Sequence, residues 1–324
     1  MDFKRLQILR EVADRGTVGA AADALRVTPS AVSQQLRTLQ DELGVVLVEK
    51  SGRGVRLTEA GRAMATAAAE VSTAMARAEA TIDTYRRGWQ AHVRAAFFPS
   101  AAEMFLPGLL HRVQSVPGLR LEACFEDPGV AGFAGLAADY DLVLAHSVDG
   151  PEVFARNGLV VVPLLEEPLD VAMQSGHPLA ARSRVTARDV VGYPWIGVPE
   201  GFPFDAVLKQ IEKQAGAPAV RAQLYPDLRV LEALVSAGHG LSLLPRYTAA
   251  GNESRGFVLR PLVGVAARRS IVALLRPDVA ERTTIRDVLS MLVLEAEAVA
   301  TGTRESDSGH LARAARVPLS QNAR

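Results

Sequence analysis

The sequence predicts an α/β protein that carries an all-α unit at its N-terminus. Three observations carry that prediction. Residues 1–58 show three helix-period apolar patterns and a short hairpin, 58–88 form one alanine-rich run without proline, and strand-like and helix-like segments alternate over 91–300. At 324 residues the chain is long enough for a core in each of two or three units. Its formal net charge is zero, so any nucleic-acid footprint must come from where basic residues sit, not from bulk charge.

Phe3, Leu6, Leu9, Val12 and Ala13 line one face of a first helix that Gly16 ends. Val18, Ala21, Ala22 and Leu25 form a second. The chain then turns through Arg26-Val27-Thr28 into a third helix over 29–43, with Thr28 suited to the N-cap and Pro29 to the first helical position, where a missing N–H costs nothing. Ala31, Val32, Leu36 and Leu39 face inward there. Thr28, Pro29, Ser30, Ser33, Gln34 and Arg37 are left outward, a set suited to phosphates and base edges in a major groove. Val46-Leu47-Val48 and Val55-Arg56-Leu57 read as strands around a basic, glycine-rich tip that offers Arg53 to a phosphate or a narrow minor groove. Helix, turn, helix and wing is the resulting pattern. From Ala24 to Arg62 six basic residues stand against four acidic ones, a small excess. Three short amphipathic helices with polar outer faces also describe domains that never meet DNA, and spacing alone does not choose.

Thr58 stands as the N-cap of the long helix, with Glu59 in the first turn where the helix dipole favours it. Met64, Ala67, Ala68, Val71, Ala74, Met75, Ala78 and Ile82 form its apolar stripe. A single surface helix has nothing of its own unit to bury that stripe against. The same helix of a second subunit is the natural cover, and the chain's own α/β region is the alternative.

In the α/β region the strands 93–98, 119–125 and 141–145 alternate with helices 99–113 and 130–137, which implies a parallel sheet with right-handed crossovers. After a long crossing run, strands at 195–198, 220–224 and 241–244 alternate with helices at 204–214 and 227–237 in a second such unit. A strand at 270–275 and a helix at 285–299 follow. The expected lobes are 91–162 with 266–300, and 163–265, an arrangement resembling periplasmic binding proteins. Residues 301–324 read as a disordered tail. A ligand cleft is expected between the lobes, at strand ends. Ser100 opens a helix there beside Ala101, and its hydroxyl and the free N–H groups suit an anion or carboxylate, although a plain cap reads equally well. His146, Pro199, Glu200 and Tyr225 end other strands; His146 is either structural or responsive to protonation. Phe97, Phe98, Phe202 and Tyr225 at the cleft edge suggest a partly apolar effector.

The blocks Ala20-Ala21-Ala22-Asp23-Ala24-Leu25, Thr28-Pro29-Ser30-Ala31-Val32-Ser33-Gln34-Gln35-Leu36, Leu39-Gln40-Asp41-Glu42-Leu43-Gly44 and Leu57-Thr58-Glu59-Ala60-Gly61 closely resemble the LysR-type transcriptional regulators. Gly238-His239-Gly240-Leu241 through Pro245 continues the likeness more loosely, as does Ser175-Gly176-His177-Pro178-Leu179. The resemblance implies that Ser33 and Arg37 face DNA, that Arg53 tips the wing, that the helix from Thr58 dimerises, and that the loop at Ser100 touches the effector. It also implies double-stranded DNA, a small-molecule effector and a homodimer or homotetramer as partners, with RNA polymerase if the chain activates. Two departures stand out. Val48 replaces a more usual aromatic residue, and Phe97-Phe98-Pro99-Ser100 replaces a glycine-containing loop.

The competing classes fare worse. An enzyme with a DNA-binding appendage needs a nucleophile, base and acid, and no such set is visible; Ser100 lacks a G-x-S-x-G context and no GxGxxG or P-loop occurs. A solute-binding module explains residues 91–300 but not the wing. The six histidines lack metal-like spacing, so no metal and no cofactor is expected. The lone Cys124 reads as a small buried hydrophobe. With no signal-peptide pattern and no apolar run of membrane length, a cytoplasmic location is expected.

Overall fold

The computed structural model describes residues 1–51, 54–83 and 90–302. The N-terminal unit starts with α1 (Phe3–Arg15), α2 (Val18–Leu25) and α3 (Pro29–Leu43). Leu6, Leu9, Val12, Ala21, Ala22, Val32, Leu36 and Leu39 meet in one core, so the three apolar stripes do converge. Each helix is capped as its sequence asks. Asp2 accepts from the Lys4 amide at 2.9 Å, Thr17 from Ala20 at 3.1 Å and Thr28 from Ala31 at 3.2 Å. The turn between α2 and α3 runs through Arg26 at φ 55°, the one described non-glycine residue in left-handed backbone, a conformation that costs roughly 1–2 kcal/mol.

The hairpin pairs β1 (Val48–Ser51) with β2 (Gly54–Leu57). The strand expected from Val46 starts two residues later. The amides of Leu47 and Val48 are taken by the Gln40 side-chain oxygen, at 2.8 and 3.0 Å, and Leu47 turns into the core. Thr58 then caps α4 (Glu59–Asp83): its hydroxyl accepts from the Gly61 amide at 2.9 Å and donates to the Val46 carbonyl at 2.7 Å. Gly61 is required by close approach, since a Cβ there would lie 2.0 Å from the Leu47 carbonyl oxygen.

The apolar stripe of α4 corrects an expectation. The face that finds cover within the chain is Gly61, Ala65, Ala68 and Ser72, so of the stripe's first half only Ala68 is buried, Met64 is half-buried and Ala67 is exposed. The second half of the stripe is open as well: Val71, Met75 and Ile82 are 40%, 42% and 53% exposed.

The α/β region has two apolar cores. In the first, β3 (Ala91–Phe97) lies parallel to both β4 (Leu119–Phe125) and β5 (Leu142–Ser147), connected by α5 (Pro99–Gln114) and α6 (Val130–Leu136). The strand β6 (Val160–Gln174) leaves this core for the second. There it is followed by β7 (Val185–Thr186), α7 (Ala187–Val190), β8 (Pro194–Gly197), α8 (Pro203–Ala215), β9 (Val220–Leu224) and α9 (Leu228–Ser236). Next come β10 (Ser242–Pro245), α10 (Arg246–Ala249), β11 (Phe257–Arg260) and β12 (Leu262–Val263). The chain returns through β13 (Arg268–Leu275), α11 (Pro277–Ala280) and α12 (Thr283–Thr301).

The expected parallel order holds for β4–β3–β5 and for β8–β9. The two crossing strands depart from it. β13 pairs antiparallel with residues 160–168 of β6 and is also antiparallel to β5, because a chain that leaves one lobe and returns must run both ways through the connection. Cys124 is half-buried, not buried as expected, because β4 is the edge of its sheet.

Candidate functional site

Two places collect polar side chains. The first is the outer face of α3. Thr28, Pro29, Ser30, Ser33, Gln34 and Arg37 are all exposed, on the face opposite Val32, Leu36 and Leu39. Thr28 also bonds the Ser30 hydroxyl at 2.9 Å, which orders the first turn. Arg37 makes no ion pair among the described residues. The helix is held from behind, where Arg5 of α1 donates to Gln35 at 3.1 Å and pairs with Glu42. Exposed donors on a rigid, buttressed helix can be carried whole into a groove. Arg53, the expected wing tip, lies outside the described residues.

The second place is the junction of the two α/β lobes. Ser100, in the first turn of α5, is only 4% exposed, and its hydroxyl accepts a hydrogen bond from Arg269 Nη2 at 2.8 Å. Arg269, on β13, is itself 2% exposed. It donates from Nε and Nη2 to Glu167 Oε2 of β6, at 2.8 and 2.6 Å. The other Glu167 oxygen accepts the Tyr247 amide at 2.9 Å. The guanidinium lies 5.3 Å from the ring centre of Phe98, in the first core, and 5.6 Å from that of Phe204, in the second. Beside it, Asp170 of β6 pairs with Arg246 through both oxygens, at 2.6 and 2.8 Å.

His146 joins this cluster, with Phe98 4.4 Å and Phe133 5.6 Å between ring centres. It is buried, its Nδ1 has no hydrogen-bond partner, and Nε2 stands 3.8 Å from Asp127. Burial pushes its pKa down, with the positive charge of Arg269 adding to that, against the opposing pull of Asp127. Ala101 is buried with Ser100.

The remaining expected residues are not brought to this point. Glu200 pairs with Lys209 of α8 at 2.7 Å, its side chain 86% exposed. Tyr225 is exposed beyond the end of β9, and Pro199 is half-buried in the turn that enters α8, its carbonyl accepting from Phe202. Phe97 and Phe98 are buried in the first core and form no open edge. The reading of the sequence missed Arg269, Glu167 and Phe204. The available signal was acidic residues in one long apolar strand (Glu166, Glu167 and Asp170) and two arginines opening another (Arg268 and Arg269), charges that must be paired where they are buried.

A third feature joins the two functional halves. Arg10 of α1 donates to Asp278 at 2.7 Å, Arg276 to Glu11 at 3.0 Å and Arg15 to Asp139 at 2.6 Å. Burial pushes the Asp14 carboxyl up despite Arg10 and Arg276 nearby. At Asp278 burial acts the same way, but the Arg10 hydrogen bond and the charges of Arg276 and Arg10 outweigh it and hold the carboxyl down.

Comparison with known proteins agrees with this geometry. Residues 3–62 match the family described as bacterial regulatory helix-turn-helix protein, lysR family, and residues 86–296 match the LysR substrate binding domain. The chain is 30% identical over 273 residues to the transcriptional dual regulator GltC of Bacillus subtilis, covering 84% of this chain and 89% of that protein. It is 27% identical over 280 residues to the DNA-binding transcriptional dual regulator OxyR of Escherichia coli, covering 86% and 90%. A full-length OxyR variant from Pseudomonas aeruginosa shares the fold with a TM-score of 0.60 at 19% identity, over 91% of this chain and 97% of that one. ArgP from Mycobacterium tuberculosis does so with a TM-score of 0.59 at 20% identity, over the same shares.

Proposed function

This chain belongs to the LysR family of bacterial transcriptional regulators, and from that premise we propose which residues carry each half of its work. It is a DNA-binding transcriptional regulator with an N-terminal helix-turn-helix domain and an effector-binding domain. The DNA half is residues 1–58, where Thr28, Pro29, Ser30, Ser33, Gln34 and Arg37 enter the major groove and Arg53 reaches the backbone or minor groove. Residues 58–88 link it to the effector half, 91–300, whose ligand enters between Phe98 and Phe204 and meets Ser100, Ala101 and His146. The single observation that carries the reading is the exposed polar face of α3 over a fully apolar inner face.

The switch follows from linkage. A ligand shifts the balance between two arrangements only by the difference in its affinity for them. Separating Phe204 from Phe98 to admit a ligand changes how β6 and β13 hold the lobes, and the Arg10–Asp278 contact passes that change towards α1. The exposed Val71, Met75 and Ile82 of α4 support pairing with a second copy and a homotetramer built as a dimer of dimers. No helix among the described residues is long and apolar enough to cross a membrane, and a DNA target fits work in the cytoplasm. Relatives of this kind are regulators, so the chain is read as having no catalytic role. RNA polymerase is a partner if it activates. Cys124 does not favour thiol chemistry, because burial and Glu122 push its pKa up, away from the thiolate.

The test is a titration of the full-length protein on a duplex from upstream of its own gene at several salt concentrations. Binding should weaken steeply with salt, the logarithmic slope approaching about −0.9 per phosphate contacted. No detectable complex at low salt would contradict the reading.

A further inference from the structure

The N-terminal unit and the first lobe meet without a shared apolar core. Leu6, Leu9 and Leu39 belong to one buried cluster and Leu274, Val279 and Ile285 to another, and among the described residues no side chain belongs to both. What joins α1 to the end of β13 and to α11 is charge. Arg10, only 6% exposed, donates to Asp278 and holds its Nε 3.6 Å from Asp14. Arg276 donates to Glu11 and stands 3.6 Å from Asp14 and 3.7 Å from Asp278. Its Nε is buried without a hydrogen-bond partner among the described residues. Arg15 spans from Glu11 to Asp139 and also donates to the Ala138 carbonyl. Further along, Arg77 of α4 donates to Glu281 at 2.8 Å. Beside this cluster lies a cavity of about 920 Å³, walled by Ala13, Ala65, Ala69, Ala134, Ala137 and Leu159.

The cluster is also out of balance. Glu11, Asp14, Asp139 and Asp278 bring four carboxylates to the three guanidiniums of Arg10, Arg15 and Arg276. Three of the four accept a guanidinium hydrogen bond at 3.0 Å or less, whereas Asp14 comes no closer than 3.6 Å to either arginine. Burial raises the Asp14 carboxyl despite Arg10 and Arg276, and Glu11 and Asp278 add to the rise. Across the cavity, Arg62, Glu70 and Arg77 of α4 complete the charges around it. On the reading that residues 1–58 contact DNA, we propose that this cluster is a releasable clasp holding the DNA-reading unit on the chain's own first lobe, with Asp14 as the surplus charge that keeps it loose. A seam of ion pairs beside a cavity can open and reseat without exposing an apolar core, which a packed seam cannot do. The outer face of α3 takes no part in the clasp, so opening changes the angle at which α3 is presented and leaves its own side chains untouched. The clasp also sits at the far end of β13, the strand that begins beside Arg269 at the lobe junction and ends one residue before Arg276.

The test is hydrogen exchange of the full-length protein at constant pH, without DNA. Asp278→Asn should speed exchange over residues 3–15 by about ten-fold, the loss of one hydrogen bond to a charged group. Arg10→Glu should do the same, and combining it with Asp278→Arg should bring exchange back to within about three-fold of the unchanged chain. If Arg10→Glu fails to fold, Asp278→Asn decides alone, since it lies outside the N-terminal unit. Glu11→Gln should speed exchange, while Asp14→Asn should slow it about three-fold, because the surplus charge is gone. Raising sodium chloride from about 50 to 500 mM should speed exchange about three-fold in the unchanged chain. No change over 3–15 in Asp278→Asn, or exchange independent of salt, would overturn the clasp. Exchange no slower in Asp14→Asn than in the unchanged chain would overturn the role of Asp14. Affinity for the upstream duplex should stay within about three-fold in Asp278→Asn, because α3 is untouched. Absence of duplex binding by the unchanged chain would strike the DNA reading instead, and the exchange measured without DNA would still decide the clasp.

Discussion

The outer face of α3 and the junction of the lobes use the same two residue types in opposite ways. On α3, Ser33 and Arg37 are exposed, and the arginine has no ion pair among the described residues. At the junction, Ser100 and Arg269 bond each other at 2.8 Å, and Glu167 neutralises the guanidinium. An exposed arginine keeps its hydration and its donors stay open to a phosphate or a base edge. A buried arginine must have a built-in counter-ion, here Glu167. The difference teaches that the same two residue types serve an open polar surface in one domain and a closed structural pair in the other.

The comparison breaks most sharply at Arg269. Arg269→Ala leaves Glu167 buried and uncompensated, and should cost about 3–5 kcal/mol in denaturant unfolding of the full-length protein. Arg269→Met combined with Glu167→Gln should cost far less, because no charge is stranded. Equal losses would show that the pair is not the buried charge contact described.

Damage on the DNA side should be smaller. Gly61→Ala places a methyl against the Leu47 carbonyl and should lower the stability of the N-terminal unit by about 1–3 kcal/mol, read by proteolysis or hydrogen exchange in residues 1–65. Arg37→Ala touches no core. Stability should hold within about 0.5 kcal/mol, while discrimination between cognate and mismatched duplexes falls by about 1–3 kcal/mol if the contact is bidentate. Equal weakening on every duplex would make Arg37 a phosphate contact.

The smallest effect concerns pH. His146 is held below its ordinary value of 6.5, so the unfolded chain takes up a proton more readily than the folded one. Its contribution to stability is therefore present above about pH 6.5 and is lost as pH falls towards its folded value. His146→Gln should flatten the stability curve between pH 7 and 5 relative to the unchanged protein, and matching slopes would contradict this buried, neutral state.

The N-terminal half was legible because its information is local. Three- and four-residue spacings gave α3 its boundaries at Pro29 and Leu43, and a threonine before Pro29 gave its cap. The hairpin was read two residues early at β1, since Gln40 reaches forward to take the strand's first amides, and spacing does not show a side chain's reach. The lobe junction was legible only as a place. Ser100 was found from its helix start, but Glu167 and Arg269 lie 67 and 169 residues further on, and only the register of β6 against β13 sets them opposite each other. Glu200 and Tyr225 were chosen as strand ends, and the fold turned them outward.

The most direct test of the account is an anisotropy titration of the full-length protein on its own upstream duplex and on a scrambled duplex of the same composition. It should be run for the unchanged chain, for Ser33→Ala with Arg37→Ala, and for Arg182→Ala, which removes an equal charge from an exposed pair in the second lobe. The account expects the unchanged chain and Arg182→Ala to prefer the upstream duplex by about a thousand-fold or more, and the double variant to lose at least about ten-fold of that preference. Equal binding of the unchanged chain to both duplexes, or a preference left intact in the double variant, would contradict it.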